Sequence, residues 1–406
     1  MTAEIAGTLL LNPAVIDDPY PFYGLLRARA PVWKIPGTDL YTVSTLGLTA
    51  EAAGRPADFS SNITCFLYRD AAGLPARATF GQDGVQVLAT ADPPLHPLHR
   101  GTVFPELVAT RMAALEPDVA GLASRCVTRV LDSGTADFMT ALGNVVPITM
   151  ISRLIGFRDA DIGQLLSTAL GTTALLGAAL SHDELTQLVS HLAPVQAWLA
   201  DQLTVAMNDP ASDILGAVAR GVHDGVFSHF EASTILLTLL SAGGETTASL
   251  LGNAVRLLAE DPDLQELLRQ NPGQIPRFVE EALRLESPFR YQMRSVPKDT
   301  ALGGVDIPAG ATVLLLFGAA NRDTAEYARP DEVDMQRQVP RLHLAFGRGI
   351  HHCVGAPLAR LEAKVVLSVL LERTASISLD PDHAPRWASS LLVRRHEQLP
   401  VRLVSR

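Results

Sequence analysis

The sequence FGRGIHHCVG at residues 346–355 combines three glycines, two adjacent histidines and one of the three cysteines of the chain. A cysteine thiolate is a good metal ligand, so the segment suggests a metal site. Zinc is disfavoured, because the adjacent side chains of His351, His352 and Cys353 point in different directions and no second ligand pair follows at the usual spacing. A buried structural cysteine, the most common role of a free cysteine, leaves the glycines unexplained.

The glycines and the helix that follows indicate what the cysteine does. Gly347, Gly349 and Gly355 allow the backbone to approach a flat group closely. The sequence APLARLEAKVVLSVL after Cys353 predicts a helix that begins beside the sulfur, and a helix N-terminus favours a thiolate. Backbone N–H groups of this turn can also donate to the sulfur and tune its bonding to a metal.

The spacing Phe-x-x-Gly-x-x-x-Cys-x-Gly resembles the haem-binding signature of the cytochrome P450 family, with Phe346, Gly349, Cys353 and Gly355 at the fixed positions. The resemblance implies a mainly α fold with small β-sheets, in which a triangular prism-shaped helical domain encloses haem b. It also implies that the thiolate of Cys353 binds the iron. We expect residues 1–406 to form this single domain, since the resemblance runs from DPYPFY near the N-terminus to the helix after the cysteine.

The sequence SAGGETTAS contains two adjacent glycines within a predicted helix, and each costs about 1 kcal/mol relative to alanine. Close contact with another helix is one explanation. The P450 family has Ala-Gly-x-Glu/Asp-Thr here, matched by Ala242, Gly243, Glu245 and Thr246, in the helix that crosses the distal face of the haem. The resemblance implies disrupted helix hydrogen bonding, often a π-bulge, that makes room for dioxygen. It assigns Glu245 and Thr246 to proton delivery as acid and hydroxyl, a role that Thr247 can share.

The sequence EALR places Glu281 and Arg284 at positions i and i+3 on one helix face. Without further evidence, such an ion pair is expected to be exposed to solvent and to contribute little to the stability of the fold. The family resemblance adds Arg337 in VDMQR and implies a buried structural network of these three side chains. Because buried charges cost free energy unless they are paired, loss of one member should destabilise the fold and release haem without changing substrate preference.

Four residues match family positions that contact the haem propionates, which need cationic donors. His96 and Arg100 lie at i and i+4 in DPPLHPLHR, at the start of a predicted helix. Arg294 follows Arg284 by ten residues, and His351 precedes the cysteine by two. The resemblance implies that all four hold the haem.

Composition restricts the other classes of function. A net charge of -10 argues against a nucleic-acid coat or a polybasic membrane patch. Three widely spaced cysteines predict neither a disulfide framework nor a structural zinc module, which fits a reducing compartment. The N-terminus lacks a signal-peptide pattern, and no stretch has about 18 uninterrupted apolar residues. We therefore expect a cytoplasmic protein that binds neither nucleic acid nor membrane.

Apolar residues at helical spacing predict long helices over 109–131, 161–180, 182–208, 233–260 and 276–285. Short strands are predicted at 32–35, 40–43 and 313–316. Residues 60–94 show no clear period and predict a long irregular loop of the kind that covers a pocket.

The substrate pocket is predicted from the regions that vary within the family. An apolar pocket implies a hydrophobic substrate, such as a fatty acyl chain, a terpenoid or steroid, or a polyketide. Arg290 and Tyr291 are candidate polar anchors. The predicted pocket residues are Ile63, Phe66, Leu67, Leu239, Leu240, Phe289 and Met293, with residues 175–180.

The chain shows no flavin or nicotinamide fingerprint and no cysteine set for an iron–sulfur cluster. Electrons must therefore come from separate proteins, and the resemblance suggests a ferredoxin and a ferredoxin reductase. A basic patch of Arg111, Arg348, Arg360 and Lys364 is a candidate docking surface for an acidic ferredoxin, although charged residues are usually just a solvated face.

Two activities fit a haem-thiolate protein. An oxygen-dependent monooxygenase needs Glu245 and Thr246, whereas a non-catalytic sensor of a gas or ligand needs only Cys353 and the propionate contacts. The acid–threonine pair is present, so the sequence favours the monooxygenase, which inserts one atom of dioxygen into a C–H or C=C bond of its substrate.

Overall fold

The computed structural model describes residues 5–79, 85–107, 109–338 and 342–406. These residues are mainly helical, as predicted. The α-helices are α1 Pro13–Asp17, α2 Tyr20–Arg29, α3 Leu46–Ala53, α4 Leu95–Val103, α5 Ala109–Ala114, α6 Glu116–Ser133, α7 Val145–Ile155, α8 Ile162–Ala174, α9 His182–Asn208, α10 Ile214–His223, α11 His229–Glu260, α12 Pro262–Gln270, α13 Ile275–Leu285, α14 Phe317–Ala320 and α15 Ala356–Arg373.

The strands form small sheets. The largest has the order β1-β2-β9-β6, in which β2 and β9 are parallel and the other pairs antiparallel. The remaining sheets are β10-β13-β5, β3-β4, β7-β8 and β11-β12. The strands are β1 Val32–Lys34, β2 Leu40–Val43, β3 Cys65–Arg69, β4 Pro75–Thr79, β5 Thr135–Asp137, β6 Gln292–Ser295, β7 Thr300–Leu302, β8 Val305–Ile307, β9 Thr312–Leu315, β10 Thr374–Leu379, β11 Arg386–Trp387, β12 His396–Gln398 and β13 Pro400–Ser405.

Capping residues fix where the long helices begin. Ser181 caps α9 in a capping box with Glu184, and the prediction of 182–208 is confirmed at both ends. Ser228 forms the same motif with Glu231, so α11 begins four residues before the predicted start at 233. The predicted helix over 161–180 ends at Ala174, and the one over 109–131 is two helices.

The predicted irregular loop at 60–94 contains a β-hairpin, so that prediction is wrong over 65–79. Strands β3 and β4 are antiparallel, and Cys65 pairs with Thr79. The side chains of β3 alternate between buried and partly exposed, which is the period of a half-buried strand. Residues 80–84 of the predicted loop lie outside the described residues.

A short loop at 175–181 joins α8 to α9 and is tied to three other parts of the fold. The Arg69 N–H of β3 donates to Leu180 O at 3.0 Å, and the Leu391 N–H donates to Gly177 O at 2.7 Å. The Tyr291 hydroxyl donates to Leu176 O at 2.6 Å. All three acceptors are backbone carbonyls of the loop, so the loop is fixed over the hairpin side of the fold.

Helix α11 is the central helix and packs against α7, α8 and α9. Among the described residues it is the one helix long and apolar enough to cross a membrane, and 78% of its apolar window is buried inside the protein. It is α-helical throughout, without the predicted π-bulge. A Cβ on Gly243 would lie 2.7 Å from Ile151 Cγ1, and one on Gly244 would lie 2.8 Å from Ile148 Cδ1. The adjacent glycines therefore allow α7 to pack closely, the alternative that the sequence left open.

Candidate active site

A cavity lies between α11 and the segment 346–355, hereafter the cysteine loop. Helix α4 and the start of α15 complete its walls, together with the connection from α13 to β6. Apart from the histidines and Arg100, most of the surface is apolar. The lining residues are Leu88, Ala89, His96, Arg100, Leu107, Ile151, Thr238, Leu239, Ala242, Gly243, Thr246, Thr247, Leu250, Leu283, Pro288, Phe289, Gln292, Ala345, Phe346, His351, His352, Cys353, Val354, Gly355, Leu358 and Ala359.

The sulfur of Cys353 opens onto this cavity. The N–H groups of Gly355 and Ala356 donate to it, and this lowers the thiol pKa, but burial has the larger effect and raises it. Cys353 is exposed on the side that faces the cavity, while the protein packed around its other sides accounts for the effect of burial. The Cys353 N–H donates to Phe346 O at 2.9 Å, which closes the loop around the sulfur.

The three glycines of the cysteine loop have different functions. Gly347 and Gly349 have φ angles of 67° and 75°, a left-handed conformation that strains other residues. A Cβ on Gly349 would also lie 2.9 Å from Ala53 O, so this glycine allows the loop to pack on α3. Neither of these two lines the cavity, whereas Gly355 does, with its Cβ position 3.9 Å from Cys353 Sγ.

The side chains predicted to hold the haem propionates meet at one end of the cavity. The rings of His96 and His351 are 4.3 Å apart, and both ring nitrogens of His351 are buried without a hydrogen-bond partner. Arg100 Nη1 donates to His352 O at 3.0 Å. Arg294 lies buried behind the lining and donates to two neutral acceptors, Met293 O and Gln292 Oε1.

Burial lowers the pKa of Arg294 to about 10, so a nearby anion would stabilise this cation. Among the described residues, Asp92 is a carboxylate beside the cluster of two histidines and two arginines, with Oδ1 3.9 Å from His351 Nε2, and the cluster keeps donors without carboxylate acceptors at hydrogen-bond distance. The two propionates of haem would supply those carboxylates, and the donor set therefore fits the group that the cysteine loop implies.

The two halves of the predicted acid–hydroxyl pair face different directions, since successive residues of a helix are about 100° apart. Thr246 lines the cavity and donates to Ala242 O at 2.5 Å. Glu245 is buried away from the cavity, where it accepts from Arg395 Nε at 2.9 Å and from the Thr173 hydroxyl. Burial raises the pKa of Glu245, and Arg395 and Thr173 lower it, with burial the larger effect.

The structure brings Glu281, Arg284 and Arg337 together at full or nearly full burial. Both oxygens of Glu281 accept from Arg284, at 2.9 and 3.0 Å. Arg337 Nε donates to Glu281 Oε1 at 2.9 Å, and the Asp334 N–H donates to Oε2 at 2.9 Å. Every charge of the network is paired, which offsets the cost of burying it.

Of the seven side chains predicted in the substrate pocket, Leu239 and Phe289 line the cavity. Leu240 is one position further round α11 and packs in the core instead. Phe66 and Leu67 alternate on β3, so Phe66 packs beside α9 and Leu67 points the opposite way, into an N-terminal core cluster. Ile63 and Met293 belong to that N-terminal cluster as well, so the structure places these five side chains outside the cavity lining.

Both predicted polar anchors are held elsewhere. Arg290 Nη1 donates to Ile16 O, and the Tyr291 hydroxyl donates to the 175–181 loop. Thr238 and Gln292 also line the cavity and were not predicted; the Gln292 amide lies beside Gly347 of the cysteine loop and accepts from Arg294. Gln292 alternates with Arg294 along β6, and that spacing was an available signal.

The predicted docking patch consists mostly of cations with internal partners. Arg111 pairs with Glu106, and Lys364 with Glu116 at 3.0 Å. Arg360 pairs with Glu280 at 2.6 Å. Glu280 was not predicted, because its neighbour Glu281 carries the recognised motif.

The fold and the site define a haem-thiolate protein, in which a cysteine loop faces a threonine-bearing helix across a cavity with a cationic end. The Cytochrome P450 family model matches residues 201–386. Cytochrome P450 144 of Mycobacterium tuberculosis is 39% identical over 98% of this chain and 92% of its own length. The 6-deoxyerythronolide B hydroxylase of Saccharopolyspora erythraea is 33% identical, covering 95% and 96% of the two chains.

A solved P450 structure from Bacillus megaterium, in complex with testosterone, superposes with a TM-score of 0.85 at 26% identity, covering 96% of this chain and 99% of that one. The chain belongs to the cytochrome P450 family. It is a monooxygenase that acts on hydrophobic substrates, and its haem iron is bound by a cysteine thiolate.

Proposed function

We propose that Cys353 is the thiolate ligand of the haem iron and that oxygen transfer takes place between this sulfur and the Thr246 side of α11. The observation that carries the proposal is the position of Cys353, which receives two backbone N–H bonds and opens onto the same cavity as Thr246. Backbone donors to sulfur moderate its electron donation to iron.

His96, Arg100, Arg294 and His351 would hold the haem propionates. Phe346, Gly355, Ala242 and Gly243 line the cavity and would contact the two faces of the ring. Gly347 and Gly349 shape the cysteine loop without lining the cavity.

Bound haem supplies the reductive activation of dioxygen. Thr246 would hold a proton donor at the distal face, since its hydroxyl both donates and accepts. Glu245 would resupply protons, and because it is held by Arg395 and Thr173, its carboxyl must leave these partners or act through water. The apolar wall formed by Leu239, Leu250 and Phe289 limits water near the reacting atoms.

The substrate that best fits the lining is a hydrophobic small molecule of the fatty acyl, terpenoid, steroid or polyketide class, with Thr238 as a polar contact. The name of the erythronolide hydroxylase and the testosterone complex of the bacterial relative support bulky polyketide or steroid skeletons. We place the enzyme in the cytoplasm as one domain, with a ferredoxin and its reductase as electron donors.

The identity of the ligand is tested by the optical spectrum of the reduced protein with carbon monoxide. We expect the strongly red-shifted Soret band of thiolate ligation in the wild type and its loss in Cys353→Ala. Cys126→Ala, which changes a buried core cysteine, should retain the band. A red-shifted band in Cys353→Ala, or a wild-type protein without haem, would overturn the assignment.

A turnover assay distinguishes the monooxygenase from the alternative, a haem-thiolate sensor. With a surrogate ferredoxin system, the monooxygenase consumes reduced nicotinamide cofactor and forms an oxygenated product in a substrate-dependent way. A sensor binds the same ligands with a spectral change and forms no product.

A further inference from the structure

Glu280 is a second buried carboxylate on α13, beside the recognised Glu281. Glu280 Oε2 lies 3.0 Å from His343 Nε2, and Arg360 donates to both oxygens of Glu280, at 2.6 and 3.0 Å. His343 precedes the cysteine loop, and Arg360 follows it in the second turn of α15. One carboxylate therefore fastens the chain on both sides of the cysteine loop.

Arg360 connects this carboxylate to the loop itself. Its guanidinium carbon lies 4.4 Å from the ring centroid of Phe346, a cation–π contact. Phe346 in turn accepts the backbone hydrogen bond of Cys353 and lines the cavity. Only the Phe346 residue therefore lies between the Arg360 charge and the backbone of Cys353.

The two charges of the pair are only weakly screened by water. The side chain of Glu280 is 5% exposed and that of Arg360 is 25% exposed. Burial raises the pKa of Glu280, but hydrogen bonds from His343 and Arg360 outweigh it and lower the pKa to about 2, so this carboxylate is ionised at neutral pH. A charge in such surroundings acts over a longer distance than one in water.

We propose that Glu280 and Arg360 are a charge pair that sets the reduction potential of the haem, with Arg360 favouring the added electron and Glu280 opposing it. The inference rests on the proposed function, since Cys353 must be the iron ligand. Glu280 acts through Arg360 and Phe346 and is a positioning residue. This role of Arg360 differs from docking a redox protein. Docking requires the partner and weakens with salt, whereas an effect on the potential is present in the isolated protein.

The test is a spectroelectrochemical titration with small dye mediators and no protein partner. Glu280→Gln leaves the Arg360 cation unbalanced and should raise the potential, whereas Arg360→Gln leaves the Glu280 anion and should lower it. We expect each variant to change the one-electron reduction equilibrium at least about threefold, or ~28 mV at 59 mV per tenfold change. The double variant should lie between them, near the wild type.

Two controls separate charge from geometry. Lys364→Gln removes a cation one turn further along α15, where it pairs with Glu116 and is 45% exposed, and it should shift the equilibrium much less. Arg360→Lys keeps the cation but loses the two-pronged contact, and it should stay near the wild-type potential.

Shifts of the two single variants in the same direction, or the absence of a shift in Arg360→Gln, would show that the pair is only a structural support. If Glu280→Gln does not retain haem, the potentials of Arg360→Gln and Arg360→Lys alone decide whether the charge of Arg360 sets the reduction potential. The carbon monoxide spectrum of the wild-type sample reports Cys353 ligation independently of any potential, so a failure of the proposed function is recognised separately.

Discussion

At the scale of single residues, the site contains two neighbours with opposite surroundings. Thr246 faces the cavity, whereas Glu245 accepts hydrogen bonds from two other elements, through Arg395 and Thr173. A hydroxyl at the cavity wall is in the position to hold a proton donor, and a carboxyl with a raised pKa is a suitable proton source. The arrangement therefore separates the group that positions the proton from the group that supplies it.

Replacing Thr246 by Val keeps the shape of the side chain and removes the hydroxyl. We expect product formed per reductant consumed to fall by about 10²-fold, the lower end of the contribution of a positioned proton donor. Parallel measurement of product, peroxide and cofactor consumption checks this. Thr246→Ser retains a hydroxyl and should recover most of the coupling; normal coupling in Thr246→Val would remove Thr246 from proton delivery.

The residues predictable from sequence were those with a fixed spacing. Cys353 and Thr246 were found because their motifs place glycines and carboxylates at set distances from them. Glu280 and Arg360 were not found as a pair, because burial of both depends on how α13 packs against α15, and sequence spacing does not report that contact. Arg360 was instead interpreted as part of a surface patch.

At the scale of elements, α11 and α7 approach closely only because two successive residues of α11 lack a side chain. An added Cβ on Gly243 would meet Ile151, and one on Gly244 would meet Ile148. The energetic cost of the glycines within a helix is thus offset by the packing that they allow.

Gly243→Ala should destabilise the protein by about 1–3 kcal/mol, the usual cost of overpacking a core. Thermal or denaturant unfolding of the haem-bound protein measures it, and a second change, Ile151→Ala, should recover part of the loss. The control is Gly47→Ala in α3, where nothing lies within 4 Å of the added Cβ and where stability should be unchanged or slightly higher. Equal effects at the two glycines would contradict the packing argument.

Helices with a capping residue and a long apolar period were predicted well, and α9 matched at both ends. The hairpin β3–β4 was missed because each of its strands has five residues. The alternation of buried and exposed side chains is then too brief to stand out among the surrounding glycines and prolines. The absence of a π-bulge in α11 was equally invisible in the sequence, since regular helix geometry there depends on the contact with α7.

At the scale of the whole molecule, the C-terminal strands bury a histidine against the central helix. His396 is fully buried, both of its ring nitrogens lack a partner, and its ring stacks on Trp387 with centroids 3.7 Å apart. Burial lowers its pKa to about 3, with smaller contributions in the same direction from Arg256, Arg394 and Arg395 and an opposing one from Glu286. Sequence could not reveal this burial, because it results from contacts between distant parts of the chain.

The histidine should make the fold sensitive to acid. Between pH 6.5 and about 3 the unfolded chain binds a proton at His396 and the folded chain does not, so stability falls as the pH falls through this range. The expected loss approaches about 1.4 kcal/mol per pH unit and amounts to roughly 2 kcal/mol from pH 6.5 to 4.5, because the unfolded histidine is only half protonated at pH 6.5. Urea unfolding at a series of pH values measures it.

His396→Phe retains an aromatic ring against Trp387 and should lose less stability over this pH range than the wild type. His223→Gln, a change at an exposed histidine, should behave as the wild type does. Parallel pH profiles for the wild type and His396→Phe would show that His396 is not the cause of acid sensitivity.

The loop at 175–181 accepts three hydrogen bonds through its own backbone carbonyls, from the hairpin, from Tyr291 and from Leu391. A carbonyl is present whatever the side chain, so these three acceptors survive substitution. The buried positions are restricted nevertheless, since Leu175 and Ala178 pack in the core and a Cβ on Gly177 would lie 2.9 Å from Ser390 Oγ. Partly exposed positions of the loop, such as Ala179, are therefore the ones that evolution can vary without detaching the loop from the fold.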